Sequence, residues 1–161
     1  MNRGDIKIRD ARRSDIDAIY QLWIESMKYH ERFGPSIFGF DDEHAAVGKR
    51  FITDQSKKAT TILIVAEKSG RIIGYLLGEI RDRLPFQKLK KTGYIFDIVV
   101  TEKERHKGIG SLLLQRSFAF FKKNNMNTVM LSVSEENIEA IKFYEKHSFT
   151  TYLRNMVRVK I

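Results

Sequence analysis

Arg105-His106-Lys107-Gly108-Ile109-Gly110-Ser111 lies between the apolar run Tyr94-Ile95-Phe96-Asp97-Ile98-Val99-Val100 and the amphipathic segment Leu112 to Lys123. Strand, basic glycine-containing turn and helix together present backbone N–H groups to an anion. Gly108 and Gly110 let the backbone approach a phosphate with no Cβ in the way. The helix dipole adds positive potential at the same point, and Arg105, His106 and Lys107 offer side-chain donors. Two familiar phosphate loops fit poorly. In a P-loop the lysine follows the second glycine, whereas Lys107 precedes Gly108. In a dinucleotide fingerprint a third small residue follows, and that position is Leu113. The stretch suits a pyrophosphate, with a basic cap on an ordinary core helix as the plainer reading.

A second pattern lies downstream, after the strand-like Val129-Met130-Leu131-Ser132-Val133. It reads Asn137-Ile138-Glu139-Ala140-Ile141-Lys142-Phe143-Tyr144. Asn137 suits a helix start, and Phe143 and Tyr144 could be core aromatics. Taken in order, the two stretches resemble the Arg/Gln-x-x-Gly-x-Gly/Ala and Asn-x-x-Ala-x-x-Phe-Tyr signatures of the GNAT superfamily of N-acetyltransferases. That resemblance implies acetyl-CoA as co-substrate. Its pyrophosphate would lie on Arg105, His106, Lys107, Gly108, Ile109, Gly110 and Ser111. Its pantetheine would lie along backbone groups of Ile98, Val99 and Val100 and beside Asn137, with Phe143 and Tyr144 near the sulfur. The family commonly has Gly-Phe after this helix; here Ser148-Phe149 stands, so a somewhat different turn is expected.

Periodicity alone supports an α/β domain, with α and β elements around one mixed sheet. Ile6-Lys7-Ile8-Arg9 alternates as a strand, and Ser14 reads as an N-cap for a helix to about Tyr29. Gly34-Pro35-Ser36 breaks that helix, and a shorter one runs from Glu43 to Thr53. Thr61 to Glu67 and Ile72 to Arg81 read as strands joined by the hairpin turn Lys68-Ser69-Gly70-Arg71. The central strand Tyr94 to Val100, the helix Ile109 to Lys123 and the strand Thr128 to Val133 form a βαβ unit with parallel strands. A helix Asn137 to Lys146 follows, then strands near Phe149–Tyr152 and Met156–Lys160. The resemblance implies the GNAT fold over residues 1–161 as one domain. That fold has a sheet of about seven strands, splayed parallel central strands and four flanking helices.

The chain has 161 residues, no cysteine, four histidines and a formal net charge of +9. Without cysteine there is no disulfide and no thiol nucleophile, and the scattered histidines lack metal-ligand spacing, so no metal is expected. No apolar stretch reads as a signal core or a bilayer span, which makes a cytoplasmic protein without membrane attachment the expectation. The positive charge suits an anionic partner; CoA satisfies that, and nucleic acid is the less favoured alternative.

The chemistry implied is direct attack of an amine on the thioester in a ternary complex. A lysine-like amine with pKa near 10.4 is neutral in about one molecule in 2,500 at pH 7; an α-amine near 8 is far easier. Tyr144, by its match to the family tyrosine, would hydrogen-bond or protonate the thiolate. A backbone N–H near Val99, where the family strand bulges, would hold the oxyanion. Asp97 is a polar residue in an apolar strand and so a candidate base, or else the partner of Arg81 or Arg83. Glu79 carries the same ambiguity, and a path through water is a third option. Acceptor selection would involve Tyr29 to Glu43, including Phe33, Phe38, Phe40 and the acids Asp41, Asp42 and Glu43, together with Thr151 to Met156. A small-molecule amine is the expected acceptor. The alternatives are a protein N-terminus or lysine, or a non-catalytic acyl-CoA- or nucleic-acid-binding module. Homodimers are frequent in the family.

Overall fold

The computed structural model describes residues 6–33 and 41–158. Five strands form one sheet in the order β1 (Ile6–Asp10), β2 (Thr61–Lys68), β3 (Arg71–Asp82), β4 (Lys91–Val100) and β5 (Val129–Leu131). The first three pairings are antiparallel, and β4 with β5 is parallel. At the β2–β3 hairpin Ser69 and Gly70 both have positive φ, as a two-residue turn that matches strand twist requires.

Four helices cover the two faces: α1 (Ile16–His30), α2 (Asp42–Gln55), α3 (Ile109–Lys123) and α4 (Ile138–Lys146). On one face α1 and α2 bury Ile16, Ile19, Leu22 and Ile52 against Val65, Tyr75, Leu77 and Val99. On the other, α3 sets Ile109, Leu113, Leu114 and Phe121 against Ile64, Leu76 and Ile95, with Phe143 of α4 at the margin. Alternation along each strand supplies both cores.

Three expectations change. The start of α1 is not capped by Ser14. Residues Arg13–Asp15 form a 3-10 turn, and the buried Asp15 carboxylate accepts from the Arg12 backbone at 2.7 Å and from Arg9 at 2.6 and 3.0 Å. A charge-assisted pair outweighs a neutral hydroxyl cap. The sheet has five strands among the described residues rather than seven. Phe149–Tyr152 carries no strand pairing, and neither do Met156 to Arg158; the rest of that expected strand lies outside the described residues. β5 is only three residues long and offers little edge to pair with. At the end of α4, serine does not alter the turn. Ser148 takes a positive φ of 65° and the Phe149 amide reaches Tyr144 O at 3.1 Å, the arrangement a glycine usually provides. Gly34-Pro35-Ser36, Phe38 and Phe40 lie outside the described residues.

Candidate active site

The glycine-containing basic stretch follows a 3-10 turn, Glu102–Glu104, and runs through Arg105 into left-handed bends at His106 (φ 60°) and Gly108 (φ 84°). Gly108 opens α3, and no atom lies within 4 Å of where its Cβ would stand. The amide of Leu112 turns back to Gly108 O at 3.2 Å, so the preceding N–H groups of the helix point outward. Gly110 is needed for a different reason: a Cβ there would lie 3.2 Å from the Phe143 ring.

The basic side chains of this loop are engaged with the protein. Lys107 Nζ donates to Lys103 O at 2.7 Å and to Glu104 at 3.1 Å, and Lys68 reaches the same carboxylate at 2.9 Å. These two lysines hold the Glu104 carboxyl below its ordinary range. Arg105 Nε donates to Val100 O at 3.1 Å, with its guanidinium 5.1 Å from the Tyr29 ring centre. His106 lies 3.4 Å from Glu139 at the surface. Backbone amides, rather than these donors, are what the loop turns outward.

β4 changes character midway. Gly93, Tyr94 and Ile95 pair with Val129, Met130 and Leu131, and the parallel ladder ends there. From Phe96 onward β4 pairs only with β3. The β3–β4 register also slips at this point: Gly78 faces Ile95, but Leu77 faces Asp97, leaving Phe96 as the extra residue of a bulge. The bulge sits nearer the middle of the strand than Val99. It places Tyr94, Phe96 and Asp97 on one face, the face that carries Tyr75, Leu77 and Glu79.

The two carboxylates of that face differ. Glu79 accepts from Arg81 Nε at 3.0 Å, and Arg81 stacks on Tyr94 with its guanidinium carbon 3.8 Å from the ring centre. Arg83 turns to Met130 Sδ at 3.2 Å. Asp97 therefore pairs with neither arginine, and among the described residues it has no ion pair. It is densely surrounded by protein yet keeps some solvent-accessible surface, as a group on a cleft floor does. Burial pushes its carboxyl up to about 6, with the Tyr75 hydroxyl pulling the other way. That hydroxyl is close enough to favour the charged carboxylate without being seated in hydrogen-bond geometry.

On α4, Asn137 is buried and its side chain accepts from the Ala140 amide at 3.1 Å, the helix-cap role that its residue type suggests. Phe143 packs beneath Gly110 and edge-on to Tyr144, with ring centres 5.3 Å apart. Tyr144 is half-buried, and burial together with the nearby Asp97 charge pushes its phenol up to about 12. Ile98, Val99 and Val100 lie in the half of β4 that pairs with β3 alone. The structure thus gathers Asp97, Tyr144 and the opened half of β4, with the α3 entrance at its far end, and leaves Glu79 aside in its own ion pair. Phe33 packs on Tyr29 at 5.2 Å rather than standing as an isolated wall. Tyr75 was not singled out by sequence, although a phenol inside Ile72-Ile73-Gly74-Tyr75-Leu76-Leu77 carries the same signal as Asp97 in its apolar strand.

Among the described residues no cluster of His, Cys, Asp and Glu could hold a metal, and no helix is long and apolar enough to cross a membrane. Residues 16–149 match the model of the Acetyltransferase (GNAT) family. An N-alpha-acetyltransferase of Sulfurisphaera tokodaii is 30% identical over 90% of this chain and 80% of its own length. Among solved structures, a mutant protein from Bacillus halodurans superposes with a TM-score of 0.85 at 21% identity, covering 94% of this chain and 98% of its own. A predicted acetyltransferase with acetyl-CoA from Clostridium acetobutylicum superposes with a TM-score of 0.76 at 17% identity, covering 95% of each chain. Two signature stretches, a parallel ladder that opens at Ile95, and a family match spanning most of the sequence agree: this chain belongs to the GNAT family of acetyltransferases.

Proposed function

We propose that this chain moves the acetyl group of acetyl-CoA onto an amine by direct attack, with Asp97 as base and Tyr144 as the hydrogen-bond donor to sulfur. The pantetheine lies against Ile98, Val99 and Val100, where β4 lacks a partner on the β5 side. The pyrophosphate rests on amides from Gly108 to Ser111. The amine nitrogen attacks the thioester carbonyl, and a backbone N–H near the β4 bulge holds the oxyanion. Asp97 first takes a proton from the acceptor ammonium, which frees the lone pair for that attack; afterwards the nitrogen sheds its second proton to water, the C–S bond breaks, and the sulfur leaves as a thiolate hydrogen-bonded by Tyr144. The observation that carries this reading is an enclosed carboxylate with no ion pair among the described residues, close enough for its charge to push up the Tyr144 phenol across the opened strand.

The acceptor we favour is an α-amino group, as on a peptide or protein N-terminus. A base near 6 takes a proton from an ammonium of pKa about 8 at a cost of about 3 kcal/mol, against about 6 kcal/mol from a lysine-type ammonium near 10.4. Similarity to an N-alpha-acetyltransferase over most of the chain supports the same class. A small amine, the acceptor first expected, competes with it in the test. Thiol release from acetyl-CoA is followed across peptides with free N-termini, blocked lysine peptides, amino acids, polyamines and aminoglycosides. Acceptor-dependent release with free α-amines is expected; saturable CoA binding without release by any amine would reduce the protein to an acyl-CoA-binding module.

A further inference from the structure

The Tyr75 hydroxyl and the Asp97 carboxylate, polar groups on neighbouring strands, have no hydrogen bond or ion pair of their own among the described residues. Among the described residues the Tyr75 hydroxyl and Gln87 Oε1 are the buried side-chain polar atoms without a hydrogen bond. Gln87 lies in the β3–β4 connection; Tyr75 lies in the middle of β3, fully buried. Tyr75 is paired with Val99 and Leu77 with Asp97, so Tyr75 and Asp97 are diagonal neighbours on one face. That separation is within reach of a long aromatic side chain. The bulge at Phe96 creates this relation, because strict alternation from Tyr94 would turn Asp97 to the opposite face.

The groups that face Asp97 are few. β3 offers Tyr75 and, one pair further, the Glu79–Arg81 ion pair; α4 offers Tyr144. α1 and α2 cover this face with Ile16, Ile19, Leu22 and Ile52, and α1 adds the buried Ser26. Among the described residues no cation pairs with the carboxylate to hold it in its charged form. A sealed donor without an acceptor and an enclosed carboxylate without a donor each cost free energy, and one contact relieves both.

We infer that Tyr75 is a positioning residue for the acyl-transfer base: its hydroxyl donates to the Asp97 carboxylate when that group is charged. The donor sets Asp97's basicity from the side away from substrate. This rests on the reading of Asp97 as base, and it adds a residue that touches neither acetyl-CoA nor the amine. Burial pushes the Asp97 carboxyl up and the Tyr75 phenol pulls it part of the way back, while the Asp97 charge disfavours ionisation of both Tyr75 and Tyr144.

The test is Tyr75→Phe, which removes one oxygen and keeps the ring. The Asp97 carboxyl is titrated by 13C NMR in both proteins, and kcat/KM is measured from pH 5 to 9. Loss of the donor raises the Asp97 midpoint by about one pH unit, so the variant has about a tenth of wild-type kcat/KM at pH 5 and about a fifth at pH 6, the gap closing above pH 8. Acetyl-CoA affinity and thermal midpoint provide the control for packing. An unmoved Asp97 midpoint overturns the inference whatever the activity does. If the midpoint moves while the rate profile does not, the Tyr75–Asp97 contact stands as structure and the positioning role is lost. Full activity in Asp97→Asn removes the base itself and this role with it.

Discussion

At the α3 entrance, Lys107 is seated on Lys103 O and Glu104, Arg105 is held by Val100 O and Tyr29, and His106 is beside Glu139. At the other end of the same opened strand, Asp97 has no ion pair and the Tyr75 hydroxyl no hydrogen bond among the described residues, and Tyr144 is pushed up to about 12. One end has its polar side chains satisfied by the protein and turns backbone amides outward, where we propose the pyrophosphate rests. The other keeps side chains unsatisfied at a cost to folding, which is the expected signature of groups that must change protonation during a reaction. Binding through backbone tolerates side-chain change; chemistry through unpaired side chains does not.

Asp97→Asn breaks the contrast most directly. Loss of a positioned base lowers kcat/KM by a factor of 10² to 10⁴, on the order seen for general bases, with acetyl-CoA affinity unchanged. The same substitution stabilises the fold. Asp97's pKa is raised on folding from 3.8 to about 6, so folding carries no penalty below pH 4 and loses stability as pH rises through about 6. Above pH 7 the asparagine variant is more stable by up to about 3 kcal/mol, and below pH 4 the advantage vanishes. Denaturant titrations at pH 4 and pH 8 check this; equal differences at both would mean that Asp97 is not an enclosed carboxylate.

Tyr144→Phe comes next. A phenol near 12 facing a thiol near 8.5 makes complete proton donation uphill by about 5 kcal/mol, so the useful contribution is a hydrogen bond that strengthens as charge develops on sulfur. Such a bond to a charged group contributes about 1.5–3 kcal/mol, predicting a 10- to 100-fold fall in kcat. Acetyl-CoA affinity should hold. Single-turnover rates with saturating acetyl-CoA measure it, and an unchanged rate takes Tyr144 out of the chemistry.

Gly108→Ala probes the backbone end. At φ 84° a side chain strains the loop by about 1–2 kcal/mol. The space above Gly108 is open, so steric collision is not the cause. Relaxation of the bend would turn the outward amides away, and acetyl-CoA should bind about tenfold more weakly by calorimetry while kcat at saturation is retained. A fall in kcat with intact affinity would mean that the loop aligns sulfur rather than holding phosphate.

The backbone end was legible because its signal is contiguous: glycines, bases and the strand and helix on either side all lie between Tyr94 and Lys123. The carboxylate end was legible only as a list of candidates. Asp97 stood out in its strand, but whether Arg81 would neutralise it depended both on the face Asp97 occupies and on Glu79 claiming that arginine first. The bulge at Phe96, a slip of one residue, brings Asp97 to the face of Tyr75 and Glu79, and nothing in the local pattern marks it. Glu79 takes Arg81 because the two are alternate residues of one strand. The terminal strands failed for a complementary reason. Alternation near Phe149–Tyr152 and Met156–Lys160 shows what could pair, but pairing needs an edge, and β5 ends after three residues.

The smallest effect sharpens the comparison most. A lysine beside a phosphate loop invites the view that its charge holds the ligand, and a lost phosphate contact of that kind would weaken binding severalfold to tenfold or more. Here the Lys107 ammonium already has two oxygen partners, and Lys68 remains on Glu104 when it is removed. Lys107→Met should therefore change the dissociation constant for acetyl-CoA by less than about threefold at physiological salt, where the residual long-range charge is screened. The same measurement at low salt should show a modest increase in the effect. A loss of tenfold or more at physiological salt would mean that Lys107 leaves Glu104 for the ligand, and the α3 entrance would then work by charged side chains as the Asp97 end does.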